Sequence, residues 1–323
     1  MVRLRRTRSG EPGIRRVSRG RGFAYTDADG AAITDPELRA RIEALAIPPA
    51  WTDVWICSYP NGHIQATGVD AAGRRQYLYH PTWREQRDRR KFDRALALAE
   101  SLPAARRGVT IDLRREGLPR ERVLAAAFRM LDVARLRVGS ERYALEHGSV
   151  GLSTLLGAHA RVEDGRVVHL EFPGKSGQEW SSEVSDPDLA SVVAALKRRG
   201  PRARLLAWRG DDGPHPLRAE DINADIRERT GGEFTAKDFR TLRGTCAAAV
   251  ALARTGPKHS ASAQDRAIAA AVRQTAELLG NTPAVARASY IDPRILDLYR
   301  DGVTVDAERA SSVESQLRAM LFE

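Results

Sequence analysis

Hydrophobic and polar positions change their rhythm twice along the chain. From Gly22 to about His80 the pattern favours strands. Residues 54–59 and 63–69 flank the turn residues Pro60-Asn61-Gly62 and read as a hairpin. Asp70-Ala71-Ala72-Gly73 is a second turn, leading into a strand at 75–79. Asp27-Ala28-Asp29-Gly30 is a further turn, and residues 36–45 read as a short helix. Residues 81–94 are dense in charge, as on a solvated helix face, and the domain boundary is expected there. Beyond it apolar residues recur every three or four positions. This predicts helices at 93–102, 119–136, 186–198, 218–229, 236–254 and 260–279, a short helical piece before Tyr290, and a last amphipathic helix at 306–321. One interruption is predicted, a three-stranded meander over 161–163, 166–172 and 178–184, with Asp164-Gly165 and Gly174-Lys175-Ser176-Gly177 at its turns. The expected fold class is therefore α+β: a small antiparallel β domain over 22–88 and a larger, mainly helical domain over 89–323 carrying the meander.

Composition changes this picture at one end. The first 22 residues carry eight arginines and no apolar run, so residues 1–21 read as a flexible basic arm and not as a signal peptide. With 323 residues and 42% hydrophobic content the chain can bury a sizeable core. A net charge of +10 favours a polyanionic partner, either nucleic acid or an anionic membrane surface. The longest apolar stretch, 246–253, is too short to cross a bilayer, which weakens the membrane option. Cys57 and Cys246 lie far apart with no metal-ligand spacing, arguing against a zinc site or a disulfide framework and fitting a reducing, cytosolic compartment.

Four segments carry candidate chemistry. They are Arg135-Leu136-Arg137-Val138-Gly139-Ser140-Glu141-Arg142-Tyr143; Phe172-Pro173-Gly174-Lys175-Ser176-Gly177; Thr235-Ala236-Lys237-Asp238-Phe239-Arg240-Thr241; and Leu279-Gly280-Asn281-Thr282-Pro283, followed by Ala288-Ser289-Tyr290-Ile291-Asp292-Pro293-Arg294. A phosphodiester is anionic and resists an anionic nucleophile, so cutting it without a metal requires fixed cations around the phosphate. Arginine suits the non-bridging oxygens because its planar fork stays charged, whereas lysine can also release a proton as a general acid. Tyrosine can serve as nucleophile and store the energy of the broken bond in a phosphotyrosine. The absence of a dense Asp/Glu cluster agrees with a metal-free scheme.

In this order the four segments resemble the type IB DNA topoisomerases in their compact bacterial and poxvirus form, over about residues 48–294. The resemblance implies relaxation of supercoiled duplex DNA through a 3′-phosphotyrosyl intermediate, without ATP, metal or small-molecule cofactor. Arg137 and Arg240 match the arginines that hold the scissile phosphate, Lys175 the lysine that protonates the leaving 5′-oxygen, and Tyr290 the nucleophile. Asn281 stands where many members have histidine; an amide can donate a hydrogen bond but carries neither charge nor proton. Gln76, Tyr77 and Tyr79 resemble positions that approach DNA from the far side, Arg87 lies where another basic contact would fall, and Tyr143 resembles a backbone contact near Arg137. Alternation puts Tyr77 and Tyr79 on one face, which could equally be an aromatic core face. A two-domain grip on double-stranded DNA, a monomer, and a cytoplasmic, nucleoid-associated location are the corresponding expectations, with no membrane partner.

Two other readings compete. A tyrosine recombinase would share two arginines and a tyrosine in a helical domain, but commonly has His-x-x-Arg where Lys237-Asp238-Phe239-Arg240 stands. A non-enzymatic DNA-binding protein would explain the charge, but not the order of a tyrosine, a hairpin lysine and two arginines. Taken singly, each residue has a structural alternative: an ion-paired arginine, an exposed turn lysine, a helix-end asparagine, a core tyrosine.

Overall fold

In the computed structural model, which describes residues 3–20 and 22–322, the chain divides into two units between Arg90 and Lys91. The first is built on an antiparallel sheet of β1 (Ile14–Arg19), β2 (Gly22–Thr26), β3 (Thr52–Ile56), β4 (Ile64–Val69) and β5 (Arg75–Tyr79), in the order β2-β1-β3-β4-β5, with helix α1 (Pro36–Ala44) inserted between β2 and β3. Asp35 caps α1 by accepting the Glu37 N–H, ahead of a proline at the first helical turn. Its small core is Ile14, Ile42, Val54, Ile56 and Ala66, covered by Trp51, Leu78 and others.

Strand β1 corrects the expected arm. Residues 14–19 lie within the segment assigned as flexible, yet they pair with both β2 and β3. Arg16 also fastens to the carbonyls of Ile47, Pro48 and Trp51. Only Ile14 of this strand is buried, so its alternation was hidden under arginines.

Helix α2 (Pro81–Leu113) runs unbroken through the region expected to be a boundary and past the predicted end at 102. Pro103 lies inside it, at a typical cost of about 3 kcal/mol. Leu98, Leu102, Val109 and Leu113 are fully buried on the same helix, and each such side chain contributes about 1.5–3 kcal/mol, so burial outweighs the lost bond.

The second unit continues with α3 (Arg120–Ala134), α4 (Glu141–His147), strands β6 (Ala160–Glu163), β7 (Val167–Pro173) and β8 (Glu179–Ser185), α5 (Pro187–Lys197), the two-stranded β9 (Ala207–Gly210) and β10 (Gly213–Pro216), then α6 (Ala219–Thr230), α7 (Ala236–Thr255), α8 (Ala261–Leu279), α9 (Pro283–Ser289), α10 (Pro293–Arg300) and α11 (Val313–Phe322). The three-stranded meander β6-β7-β8 is present as predicted, and the α+β class holds. The last helix starts later than expected. The Gln316 side chain takes up the Asp306 N–H and the Arg309 carbonyl, and Asp306 turns its carboxylate to Glu308 N, which fixes a non-helical approach. No helix among the described residues is long and apolar enough to cross a membrane.

Helices α2, α3, α7 and α11 share a buried ion network. Asp132, 3% exposed, accepts from Arg106 (2.8 Å) and from Arg243, and Glu314 binds the same two arginines at 2.8 and 2.9 Å. Mutual charge holds Arg106 and Asp132 ionised in spite of burial: Arg106 is raised and Asp132 lowered from their ordinary pKa values, although desolvation alone would do the opposite to each.

Candidate active site

Four elements of the second unit position the proposed chemistry. Helix α7 begins with a capping box, in which Asp238 accepts from the Thr235 N–H and hydroxyl, both at 2.9 Å, while Arg94 pairs with it at 2.7 Å. Phe239 packs edge-on against Phe128 of α3 with ring centres 5.1 Å apart. The next residue, Arg240, is thereby drawn into the interior and is 2% exposed.

Helix α8 ends in a Schellman motif. Gly280 is left-handed (φ +56°), its N–H bonds the Glu277 carbonyl, and the Asn281 N–H reaches back to the Ala276 carbonyl. The carbonyls that this turn leaves over are taken by arginines. Arg240 Nη2 donates to Leu279 O at 2.7 Å, and Arg137 Nη2 donates to Gly280 O at 3.1 Å and to Asn281 Oδ1 at 2.6 Å. Asn281 is therefore both the helix-end residue of the structural reading and a member of the site. A Cβ on Gly280 would come within 2.9 Å of the Trp180 ring, so hairpin β7–β8 rests on this turn.

Arg240 is held from its other side by the carbonyl of Arg135, at 2.5 Å. Arg135 is left-handed (φ +59°) at the C-terminal end of α3, a conformation uncommon for a non-glycine residue and characteristic of functional sites. Backbone bonds from Leu152 N to Arg137 O and from Ser153 N to Val138 O fix the segment beyond it.

Tyr290 caps α9, and Asp292, almost fully buried, caps α10 by accepting from Arg294 N. Thr245 of α7 ties down the link between them: its hydroxyl donates to Tyr290 O at 3.2 Å and accepts from Asp292 N at 3.1 Å. The Arg240 guanidinium carbon lies 5.0 Å from the centre of the Tyr290 ring. Burial alone would raise the pKa of this half-buried phenol. The charge of Arg240 and its hydrogen-bonding reach, then Arg137 and Lys237, outweigh burial and hold it below the ordinary tyrosine value. Burial and the neighbouring Arg137 push Arg240 down to about 10, which leaves it charged at neutral pH. Burial likewise lowers Arg137, with the Tyr290 phenol partly restoring it.

Two donors in this cluster, Arg240 Nε and Asn281 Nδ2, are buried without a hydrogen-bond partner among the described residues. Buried donors are rarely left in this state, and an acceptor such as a phosphate oxygen would satisfy both. Among the described residues no group of three His, Cys, Asp or Glu side chains could hold a metal ion.

Arg137, Arg240, Asn281 and Tyr290 are thus brought together. Lys175 is not in direct contact with them: it is exposed at the tip of β7–β8, where Gly174 N closes the turn on Gln178 O at 2.7 Å. Tyr143 is 50% exposed on α4 and sits edge-on to His147. In the first unit, Gln76 donates to Asp70 Oδ2 at 2.8 Å. Tyr77 and Tyr79 stack at 6.0 Å, and Arg87 lies 5.4 Å from the Tyr79 ring centre. Tyr77 is 43% exposed on the edge strand, so this pair is not an aromatic core face. Sequence reasoning missed Lys237, which it used only to separate two families. Its position three residues before Arg240 already put the two on one helix face.

Residues 80–310 match the family described as "Eukaryotic DNA topoisomerase I, catalytic core", and residues 22–70 match "Bacterial DNA topoisomerase IB, N-terminal domain". The chain belongs to the type IB DNA topoisomerases. This topoisomerase is 32% identical over 297 residues to the DNA topoisomerase 1B of Acanthamoeba polyphaga mimivirus, covering 90% of this chain and 88% of that one. It is 25% identical over 245 residues to the DNA topoisomerase 1B of Vaccinia virus (strain Copenhagen), covering 72% of each. Against the DNA topoisomerase 1 of Schizosaccharomyces pombe it is 27% identical over 161 residues, 50% of this chain but only 19% of that protein. As a type IB topoisomerase the chain is an isomerase that binds DNA.

Proposed function

We propose that this topoisomerase relaxes supercoiled duplex DNA by cutting and resealing one strand through Tyr290. The phenolic oxygen attacks the scissile phosphorus and gives up its proton to solvent water. The bond from phosphorus to the 5′-oxygen breaks, and the DNA 3′-phosphate becomes esterified to the enzyme. Lys175 supplies the proton that the 5′-oxygen takes up on leaving. Rotation of the free end removes supercoils, and the 5′-hydroxyl then attacks the phosphotyrosine and restores both groups. The ester conserves the energy of the broken bond, so no ATP is consumed. Arg137 and Arg240 carry the charge stabilisation of the phosphorane and Asn281 Nδ2 adds a neutral donor, so no metal ion is required. The enzyme acts as a monomer on chromosomal DNA in the cytoplasm, and Gln76, Tyr77, Tyr79, Arg87 and Tyr143 are proposed DNA contacts.

The observation that carries this reading is the half-buried Tyr290 phenol beside the Arg240 guanidinium, with two buried donors lacking an acceptor among the described residues. The test is relaxation of supercoiled plasmid in the presence of chelator, with denaturing gels to trap the covalent adduct. Wild type should relax DNA and form the adduct with EDTA present. Tyr290→Phe should do neither while binding duplex normally. Relaxation by Tyr290→Phe, or strict dependence on a divalent cation, would overturn the reading.

A further inference from the structure

A cleft of about 390 Å³ opens behind the arginine cluster, between the second half of α7, the last turns of α8 and the start of α11. Its walls include Cys246, Val250, Leu278 and Val313, and its polar lining includes Arg135 and Arg254. Cys246 belongs to the apolar wall, since burial pushes its thiol up to about 12 and keeps it neutral. The third arginine of the lining, Arg243, is engaged by Asp132 and Glu314. Arg135 and Arg254 have no ion pair among the described residues, and Arg135 is half-buried. A half-buried guanidinium with no ion-pair partner among the described residues, attracted by Asp132 and repelled by Arg243 only beyond contact distance, at the edge of an apolar cleft of ligand size, is the composition of a site for an amphiphilic anion.

The same residues seat the catalytic arginine. The carbonyl of Arg135 accepts from Arg240 Nη1, and Leu278 immediately precedes Leu279, whose carbonyl accepts from Arg240 Nη2. An occupant of the cleft therefore touches Arg135, one support of Arg240, and Leu278, the neighbour of the other, without entering the site itself. We propose that this cleft binds a small organic anion, an aromatic or branched aliphatic carboxylate or sulfonate, with its head on Arg135 and Arg254 and its body on the apolar wall, and that occupancy slows DNA cleavage by displacing Arg240. The binding stands independently of the assigned reaction; only the effect on rate rests on it.

Anilinonaphthalenesulfonate is a suitable probe, because its uncharged relative phenylnaphthylamine offers the same apolar body without the anionic head. Fluorescence titration of the full chain should show one sulfonate dye bound per molecule, with the amine at least about tenfold weaker. Arg135→Asn keeps a residue that tolerates the left-handed backbone and should weaken the sulfonate about tenfold, in line with one charge-assisted hydrogen bond, while leaving the amine unchanged. Ala251→Phe, which fills the cleft from α7, should abolish both. If that variant melts early, Arg254→Gln at the exposed rim should reproduce the selective loss of the sulfonate. Saturating sulfonate dye should slow single-turnover cleavage by wild type and not by Ala251→Phe. Dye binding unaffected by all three substitutions, or displaced by duplex DNA, would overturn the site. Unchanged cleavage with the dye bound would overturn the coupling. An enzyme that cleaves no DNA at all would refute the assigned reaction and leave the binding result standing.

Discussion

Arg137 donates a 2.6 Å hydrogen bond to Oδ1 of Asn281, which leaves the other half of that amide, Nδ2, buried and without a partner among the described residues. The orientation is dictated by Arg137, which can only donate, so the oxygen must face it and the nitrogen must face away. An asparagine in the place of the usual histidine is in this way turned into a neutral donor with a fixed direction.

That geometry distinguishes two substitutions. Asn281→Ala should slow single-turnover cleavage by about a hundred- to a thousandfold, as for the loss of one donor to a developing oxyanion. Asn281→Asp keeps the bond to Arg137 but presents an oxygen to the phosphate, and should be slower still. Equal rates for wild type and Asn281→Asp would show that Nδ2 does not face the phosphate.

Lys175 should behave as an acid and not as a clamp. Removing a general acid typically costs about a hundred- to ten-thousandfold, but a bridging sulfur leaves as a thiolate with little need of a proton. Lys175→Ala should therefore cut ordinary DNA very slowly and a 5′-bridging phosphorothiolate at close to the wild-type rate. Arg240→Ala, which removes charge from the phosphate itself, should be rescued much less. Equal slowing of both substrates by Lys175→Ala would assign the lysine to phosphate binding.

The acidity of Tyr290 follows from its cations. Arg240, Arg137 and Lys237 lower the pKa of the phenol against the opposing effect of burial. Deleting a positive charge removes stabilisation of the phenolate, so Lys237→Ala and Arg240→Gln should each raise it, Arg240→Gln by more. Tyrosinate difference absorbance, taken between each variant and its Tyr290→Phe counterpart, reads the titration directly. A phenol that titrates lower, or at the same pH, in Arg240→Gln would contradict the arrangement.

Gly244 tests the backbone of Tyr290, the proposed nucleophile. In the middle of α7 alanine would normally be favoured over glycine by about 1 kcal/mol. Here a Cβ would stand 2.5 Å from Tyr290 O and 2.9 Å from Tyr290 Cβ, so the main chain of Tyr290 must move. Gly244→Ala should lower the melting temperature and cut the cleavage rate by more than tenfold, with duplex affinity retained. A more stable, fully active variant would refute the close approach.

Much of this was legible along the chain, for local reasons. The meander and β5 show two-residue alternation bounded by glycine and aspartate turns, and the helices from α5 to α8 carry apolar stripes with caps at their ends. The elements that escaped are those whose stability comes from distant partners. Strand β1 has one buried residue and is held by β2 and β3, and the unbroken α2 depends on burial that outweighs both its charged first half and Pro103. At the site the order of motifs picked out Arg137, Arg240, Asn281 and Tyr290, which the structure brings together. It could not disclose that Leu279, Gly280 and Arg135 serve through their carbonyls, because a backbone oxygen is common to every residue and only a Schellman turn and a left-handed Arg135 aim it.

The buried ion network has a consequence for the order in which the molecule is made. Asp132, Arg106 and Arg243 are all translated well before Glu314, and until that carboxylate joins them a single aspartate faces two guanidiniums inside the protein. An excess positive charge in a dry interior is costly, so the segment carrying Arg240 and Gly244 reaches electrical balance only once α11 has emerged. Nascent chains stalled short of residue 314 should accordingly expose α7 to protease, and the proposed DNA-cutting centre should stay unassembled while the polypeptide is still on the ribosome.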